Sequence, residues 1–187
     1  FSLSLTTNNS GSNNTFVAGT NIEIEASSDQ NGLTYNFSVG ATNFKTITPA
    51  GATASFTASG SDLDILTGQG VLKVEASSSA GLCLKDEEIP FTIFNFSSGS
   101  IAGDQSKCSN QTPNTLISAS LATTDISSVT LGYVWQTATN ATFTANLLTT
   151  PVTSSNYVFS SSIATTTFFR RKVTASLSGV SSFSYSN

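Results

Sequence analysis

Three groups of residues in this 187-residue chain have types and spacings that could do chemistry. Asp62 and Asp64, in SDLDILTGQG, form an i, i+2 carboxylate pair of the kind calcium sites use. Calcium takes about six to eight oxygens, and no further acidic cluster lies nearby, so a solvated turn is expected and no metal is assigned. Cys83 and Cys108 are the two thiols, 25 positions apart. Arg170, Arg171 and Lys172 stand side by side in TTTFFRRKVTAS and make up three of the 7 Lys and Arg residues. Such a tripeptide could touch nucleic acid, hold an anion, or belong to an ordinary strand.

Composition narrows these choices. The net charge is −4, whereas nucleic-acid binders carry a wide basic face, so no nucleic-acid partner is expected. The chain has no His, which removes the commonest general base and transition-metal ligand. A Ser-His-Asp triad cannot be built, and nothing in the sequence places two of the 11 acids in one cleft for glycosidase chemistry. The chain is therefore read as non-enzymatic, with no catalytic residue and no cofactor. Its lack of Met marks it as a processed product or a fragment. No apolar run approaches the ~20 residues of a membrane span, so this segment is not expected to insert into a membrane.

The elements that must position these residues are strands. Only 10% of residues are charged; Ser, Thr, Asn and Gly supply the polarity, and 13 Phe supply core material. TNIEIEASS alternates, with Ile22, Ile24 and Ala26 on one face. LTYNFSVG groups Leu33, Tyr35 and Phe37. GVLKVEASS opposes Leu72, Val74 and Ala76 to Val71, Lys73 and Glu75, and PFTIFNF closes this set. A second set runs through TLISASL, VTLGYVWQT, SNYVFSSS, FFRRKVTAS and FSYSN. The DEE run at 86–88 reads as solvated or edge-protecting.

Many short strands between turn residues predict an all-β chain of two tandem immunoglobulin-like β-sandwich domains arranged end to end, residues 1–97 and 98–187. Tyr35, Phe37, Tyr133, Trp135 and Val173 are expected in the cores. Strand parity puts Arg171 inward beside Val173, its head seeking a carboxylate or a carbonyl. The same parity turns Phe168, Arg170 and Lys172 outward, where they form a small candidate contact surface. Asn36-Phe37-Ser38 and Asn140-Ala141-Thr142 are glycosylation triplets that matter only in a glycosylating host.

IAGDQSKC, TPNTLISAS, YVWQTATNATF, SSNYVFSSSIATTTFFRRKVTASLSG and FSYSN together resemble a repeat of giant gliding-motility cell-surface adhesins of Bacteroidetes, the SprB-like type IX secretion substrates. Such repeats read Tyr-x-Trp-Gln, then Thr-Thr-Tyr-Tyr-Arg-Arg, a Gly turn and Ser-Asn; here Phe168 and Phe169 replace the two tyrosines. IEIEAS, LTYNFSVGA and LTGQGVLKVEASSSAGLC resemble the partner repeat. In that pattern a domain often carries one early and one late Cys. Cys83 fills the late position of the first half and Cys108 the early position of the second, so each half keeps one member of a pair. Both are expected unpaired. A Cys83–Cys108 bridge is the alternative, which needs Cα atoms within ~7 Å although a strand over residues 87–96 spans ~33 Å.

The resemblance implies a non-catalytic tandem repeat segment of a large filamentous adhesin. It would act as spacer or stalk in surface adhesion and gliding motility, outside the cell and at its surface. The implied partners are neighbouring repeats of the same chain, with the gliding and secretion machinery engaged through other parts of the parent. The alternative is a carbohydrate- or polymer-binding β-sandwich module contacting surface polysaccharide, with Phe168, Tyr157 and Tyr185 as candidate aromatics.

Overall fold

The structure, a computed structural model, describes residues 1–8, 14–108 and 110–186. The chain divides into two compact units, Phe1–Asn95 with Ser178–Val180 and Phe96–Leu177 with Ser181–Asn187.

The first unit is a sandwich of two sheets. One holds β1 (Leu3–Thr7), β3 (Ile22–Ser28) and β6 (Thr53–Ala58), in the order β1-β3-β6. The other holds β2 (Thr15–Val17), β4 (Thr34–Val39), β5 (Thr42–Ile47), β7 (Gly68–Ser77) and β8 (Cys83–Phe94), in the order β2-β8-β7-β4-β5. Period-2 patterning decides which faces meet: Ile22, Ile24 and Ala26 of β3 are buried while Glu23 and Glu25 are exposed. On the facing sheet Tyr35, Phe37, Leu72, Val74 and Ala76 are buried. Phe37 packs edge-on against Phe56, with ring centroids 5.0 Å apart. The Tyr35 hydroxyl joins the two layers, donating to the Ala52 carbonyl at 2.7 Å and sharing a 2.9 Å hydrogen bond with Ser28 of β3.

Four strands of this unit, β1, β2, β5 and β6, lie outside the sequence reading. β1 alternates, but β5 (TNFKTI) and β6 (TASFTA) carry few large apolar residues. β6 buries Ala54 and Ala58, whose methyl groups give a weak hydrophobic signal. Gly70 of β7 lies beneath Phe91 of β8: a Cβ there would come within 2.7 Å of the ring, so the glycine admits the aromatic. The Asp62–Asp64 segment forms a one-turn helix, α1 (Ser61–Ile65), rather than an irregular turn.

The second unit holds β9 (Phe96–Ser97), β10 (Ser100–Ala102), β11 (Ile117–Ser120), β12 (Thr123–Thr124), β13 (Thr130–Ala138), β14 (Leu148–Thr149), β15 (Phe168–Leu177) and β16 (Val180–Ser186). Its main sheet runs β14-β13-β15-β16, with two small ladders, β10–β11 and β9–β12, beside it. β13 and β15 pair antiparallel, setting Trp135 opposite Arg171 and Tyr133 opposite Val173. Ser178 and Gly179, with φ of 49° and 82°, make the two-residue link from β15 to β16, as a hairpin turn of primed type requires. Gly99, at φ 65°, lies where a Cβ would meet the Ser120 carbonyl at 2.4 Å, so only glycine fits between β9 and β10.

SNYVFSSS is not a strand, contrary to the pattern. Tyr157 makes one bridge to Leu116, and side chains take the neighbouring backbone carbonyls instead. Trp135 Nε1 donates to Ser154 O at 2.9 Å and Arg171 Nη1 to Ser155 O at 2.8 Å. Alternation gave the segment a face, but its carbonyls found side-chain donors rather than a neighbouring strand.

Phe37→Ala should destabilise the first unit by about 3–5 kcal/mol, read from the urea midpoint. A loss under about 1 kcal/mol would show that the site collapses without a cavity.

Candidate functional site

The two faces of β15 separate the three cations. Arg171 points inward and is fully buried beside Trp135, Val173 and Ala175. Its guanidinium donates to neutral oxygens on four separate segments. Nε reaches Ser186 Oγ at 3.2 Å, Nη2 reaches Ser98 O at 2.9 Å, and Nη1 serves both Ser118 Oγ and Ser155 O. Ser186 Oγ donates to Ser98 O at 2.7 Å, and Ser98 Oγ donates to Tyr185 O at 2.9 Å. The expected alternatives for this head were a carboxylate or a carbonyl; the partners are carbonyls and hydroxyls. Burial pulls the guanidinium below the ordinary arginine pKa, and the Tyr133 phenol acts in the opposite sense. Serine was the signal that sequence reading missed: of Ser98, Ser118, Ser155 and Ser186, two, Ser98 and Ser186, are buried.

Trp135 is fully buried and stacks edge-on with Tyr157 at 5.4 Å. Phe159 and Phe169 continue this cluster, each 5.2 Å or less from its neighbours. Tyr133, expected in the core, is only half-buried. Its ring lies at the margin, 5.3 Å from the Arg171 guanidinium, where an amphipathic side chain can keep its polar tip toward water. Tyr157, a candidate binding aromatic, belongs to this inner cluster. With Phe159 and Phe169 it floors a shallow depression of about 320 Å3.

The outer face of the same sheet carries Arg170 and Lys172. The Arg170 guanidinium lies 3.8 Å from the Tyr185 ring centroid and 4.4 Å from that of Phe143, and its Nε donates to Gln136 Oε1 at 2.8 Å. Lys172 Nζ sits 4.1 Å from the Phe183 ring, which in turn packs on Tyr185 at 5.6 Å. Phe143 is brought there by a loop built on Asn140. The Asn140 Oδ1 accepts from the backbone of Thr144 and Ala145, and its Nδ2 donates to the hydroxyls of Thr142 and Thr144. Phe143 itself adopts φ 54°, a costly conformation for a bulky residue. Neither Phe143 nor Phe183 was foreseen as a partner of the cations. Phe168 is half-buried, opposite Ala138 of β13.

Asp62 faces Lys45 at 3.9 Å and not a second carboxylate. Among the described residues no group of three acidic or sulfur side chains gathers to hold a metal. In the DEE run, Asp86 meets Lys73 of β7 at 3.4 Å and Glu87 meets Lys85 of β8 at 2.8 Å, so part of that run is ion-paired. Cys108 is exposed and unpaired. The side chain of Cys83 and the final Asn187 of the FSYSN motif lie outside the described residues. Among the described residues no helix is long and apolar enough to cross a membrane.

Residues 97–187 match the family model described as Domain of unknown function (DUF8696). No curated protein matches the chain. Among solved structures, the three N-terminal domains of the Highly Immunogenic Outer Capsid protein (Hoc) of bacteriophage RB49 superpose with a TM-score of 0.57 at 14% identity, covering 98% of this chain and 67% of that one. The fibronectin(III)-like modules of Clostridium thermocellum CbhA align over 98% of this chain and 92% of theirs at 15% identity. Their TM-score of 0.38 is too low to carry an argument. What the similarity shows is the fold: the chain is an all-β, immunoglobulin-like sandwich protein.

Two variants of Arg171 separate charge from geometry. Arg171→Ala should cost about 3–5 kcal/mol of stability, because four buried or half-buried acceptors lose their donor. Arg171→Lys keeps the charge but not the fork, and should still cost about 2 kcal/mol or more. Equal stability of Arg171→Lys and the unaltered chain would show that charge alone suffices. Native-state maleimide labelling followed by peptide mapping should find adduct on Cys108; its protection would contradict the exposed thiol.

Proposed function

We propose that this chain is a non-catalytic tandem repeat segment of a large filamentous cell-surface adhesin, acting as spacer or stalk in surface adhesion and gliding motility. The observation that supports it is the fate of the repeat signature. Tyr133, Trp135 and Gln136 of the YVWQ motif and Phe169, Arg170 and Arg171 of the FFRR motif engage one another or the same inner cluster. A motif consumed in holding its own sheet together specifies a scaffold that can be repeated. A reactive group would instead stand free in a cleft. A β-sandwich by itself implies no activity, so the role rests on the resemblance of these motifs to the gliding-adhesin repeats.

In this reading the chain works outside the cell, at its surface. Its direct neighbours are other repeats of the same parent, and the secretion and gliding machinery act on other parts of that parent. Antibodies raised against this chain should label intact cells that carry the parent protein, and the labels should travel along the cell as it glides. Labelling that appears only after permeabilisation would overturn the surface assignment, and labels fixed in place would overturn the gliding role.

A further inference from the structure

We propose that the outer face of the β13–β15–β16 sheet binds an acidic polysaccharide, a uronic-acid carboxylate lying between Arg170 and Lys172 while a sugar ring stacks on Phe183. The inference goes beyond the spacer role and does not depend on the parent being a gliding adhesin.

The first argument is charge complementarity. The unit formed by Phe1–Asn95 with Ser178–Val180 carries nine acids and three lysines, and the other unit two acids and four cations. Each lysine of the acidic unit has a carboxylate within reach: Lys45 at 3.9 Å from Asp62, Lys73 at 2.9 Å from Glu75, Lys85 at 2.8 Å from Glu87. Arg170 and Lys172 have none among the described residues and rest on aromatic rings instead. In a chain with so few cations, these two share one sheet face and leave an anion position open.

The second argument is preorganisation. The planes of Phe143 and Tyr185 and the Gln136 amide hold the Arg170 guanidinium, and among the described residues its two terminal nitrogens donate to nothing. A fixed guanidinium edge matches a planar carboxylate with two parallel hydrogen bonds, and little side-chain entropy remains to be lost on binding. The loop that delivers Phe143 keeps that residue at φ 54°, so backbone strain is spent to set the guanidinium. Arg170 and Lys172 lie two residues apart on one strand, about 7 Å, so both can serve one sugar acid.

The third argument is the exposed ring. Phe183 is 53% exposed beside Lys172, an apolar surface next to a cation. Sugar rings present C–H faces to such a surface, with their acid groups at the rim. Nucleic acids and anionic membranes are recognised through many phosphates and call for a wider basic field. Two cations on a chain of net charge −4 do not make that field, but they suit a polymer with one carboxylate per sugar. Affinity at one face would be modest, and repetition along a longer chain would raise it through avidity.

The test is affinity electrophoresis and calorimetry of the full chain with polygalacturonate, and with dextran, a sulfated carrageenan and poly(dT) as comparators. Polygalacturonate should retard the chain and dextran should not. Lys172→Gln and Phe183→Ser should each weaken binding by about tenfold. Lys107→Gln, an exposed cation outside the sheet, should bind as the unaltered chain does. Trp135 emission and the thermal midpoint report whether each variant is folded; should Phe183→Ser unfold, Lys172→Gln decides alone. Unchanged affinity in the folded variants, retardation by dextran, or equal or stronger binding of carrageenan or poly(dT) would each overturn the proposal. None of these outcomes touches the surface-labelling result, so the two readings fail separately.

Discussion

The guanidinium of Arg171 is a cation placed where water does not reach, with no carboxylate among the described residues to answer it. Desolvating such a charge is costly, and only a full set of good acceptors makes it tolerable. Here the acceptors come from β16, β11, the Ser155 segment and the Ser98 turn. Strand pairing cannot join these four pieces, because two of them belong to no strand. One forked donor does so, and in doing so it fixes where the irregular segments of the second unit run. Lysine would offer a single ammonium centre and could not reach acceptors in so many directions.

The same strand explains why the basic tripeptide is not a basic patch. Alternation sends one cation into the core and two to the outside, and the outer pair is immediately roofed by aromatic rings. Cation–π contact holds the guanidinium and ammonium near the sheet without an ion pair. The inner face uses charge to join segments through hydrogen bonds, and the outer face holds its charge against aromatic rings.

The two units solve the packing problem differently. The first has two regular sheets, and its core follows from period-2 alternation in β3, β4 and β7. The second sets one four-stranded sheet against short ladders and an irregular segment, and its inner side is closed by rings and by side-chain hydrogen bonds. Trp135 is central there: its indole N–H finds Ser154 O, so the largest side chain is buried with its polar atom satisfied.

By itself the sequence determined the all-β class, the inward residues of the long strands, and the parity that buries Arg171 and turns Arg170 and Lys172 to the opposite face of the sheet. Those features depend only on local alternation, which is written in neighbouring residues. Strands such as β5 and β6 escaped it because alanine, serine and threonine carry too little hydrophobic contrast to show a face. SNYVFSSS misled it because alternation reports which side chains face inward and says nothing about where the backbone finds its hydrogen-bond partners. Only the tertiary structure decided that Ser98, Ser118, Ser155 and Ser186 surround one guanidinium, and that Phe143 and Tyr185 enclose another. Those residues are separated by 15 to 73 positions from the arginine they meet, so no local pattern can announce them. Their convergence is fixed by the antiparallel register of β13, β15 and β16 and by loops whose backbone a side chain, not a strand, holds in place.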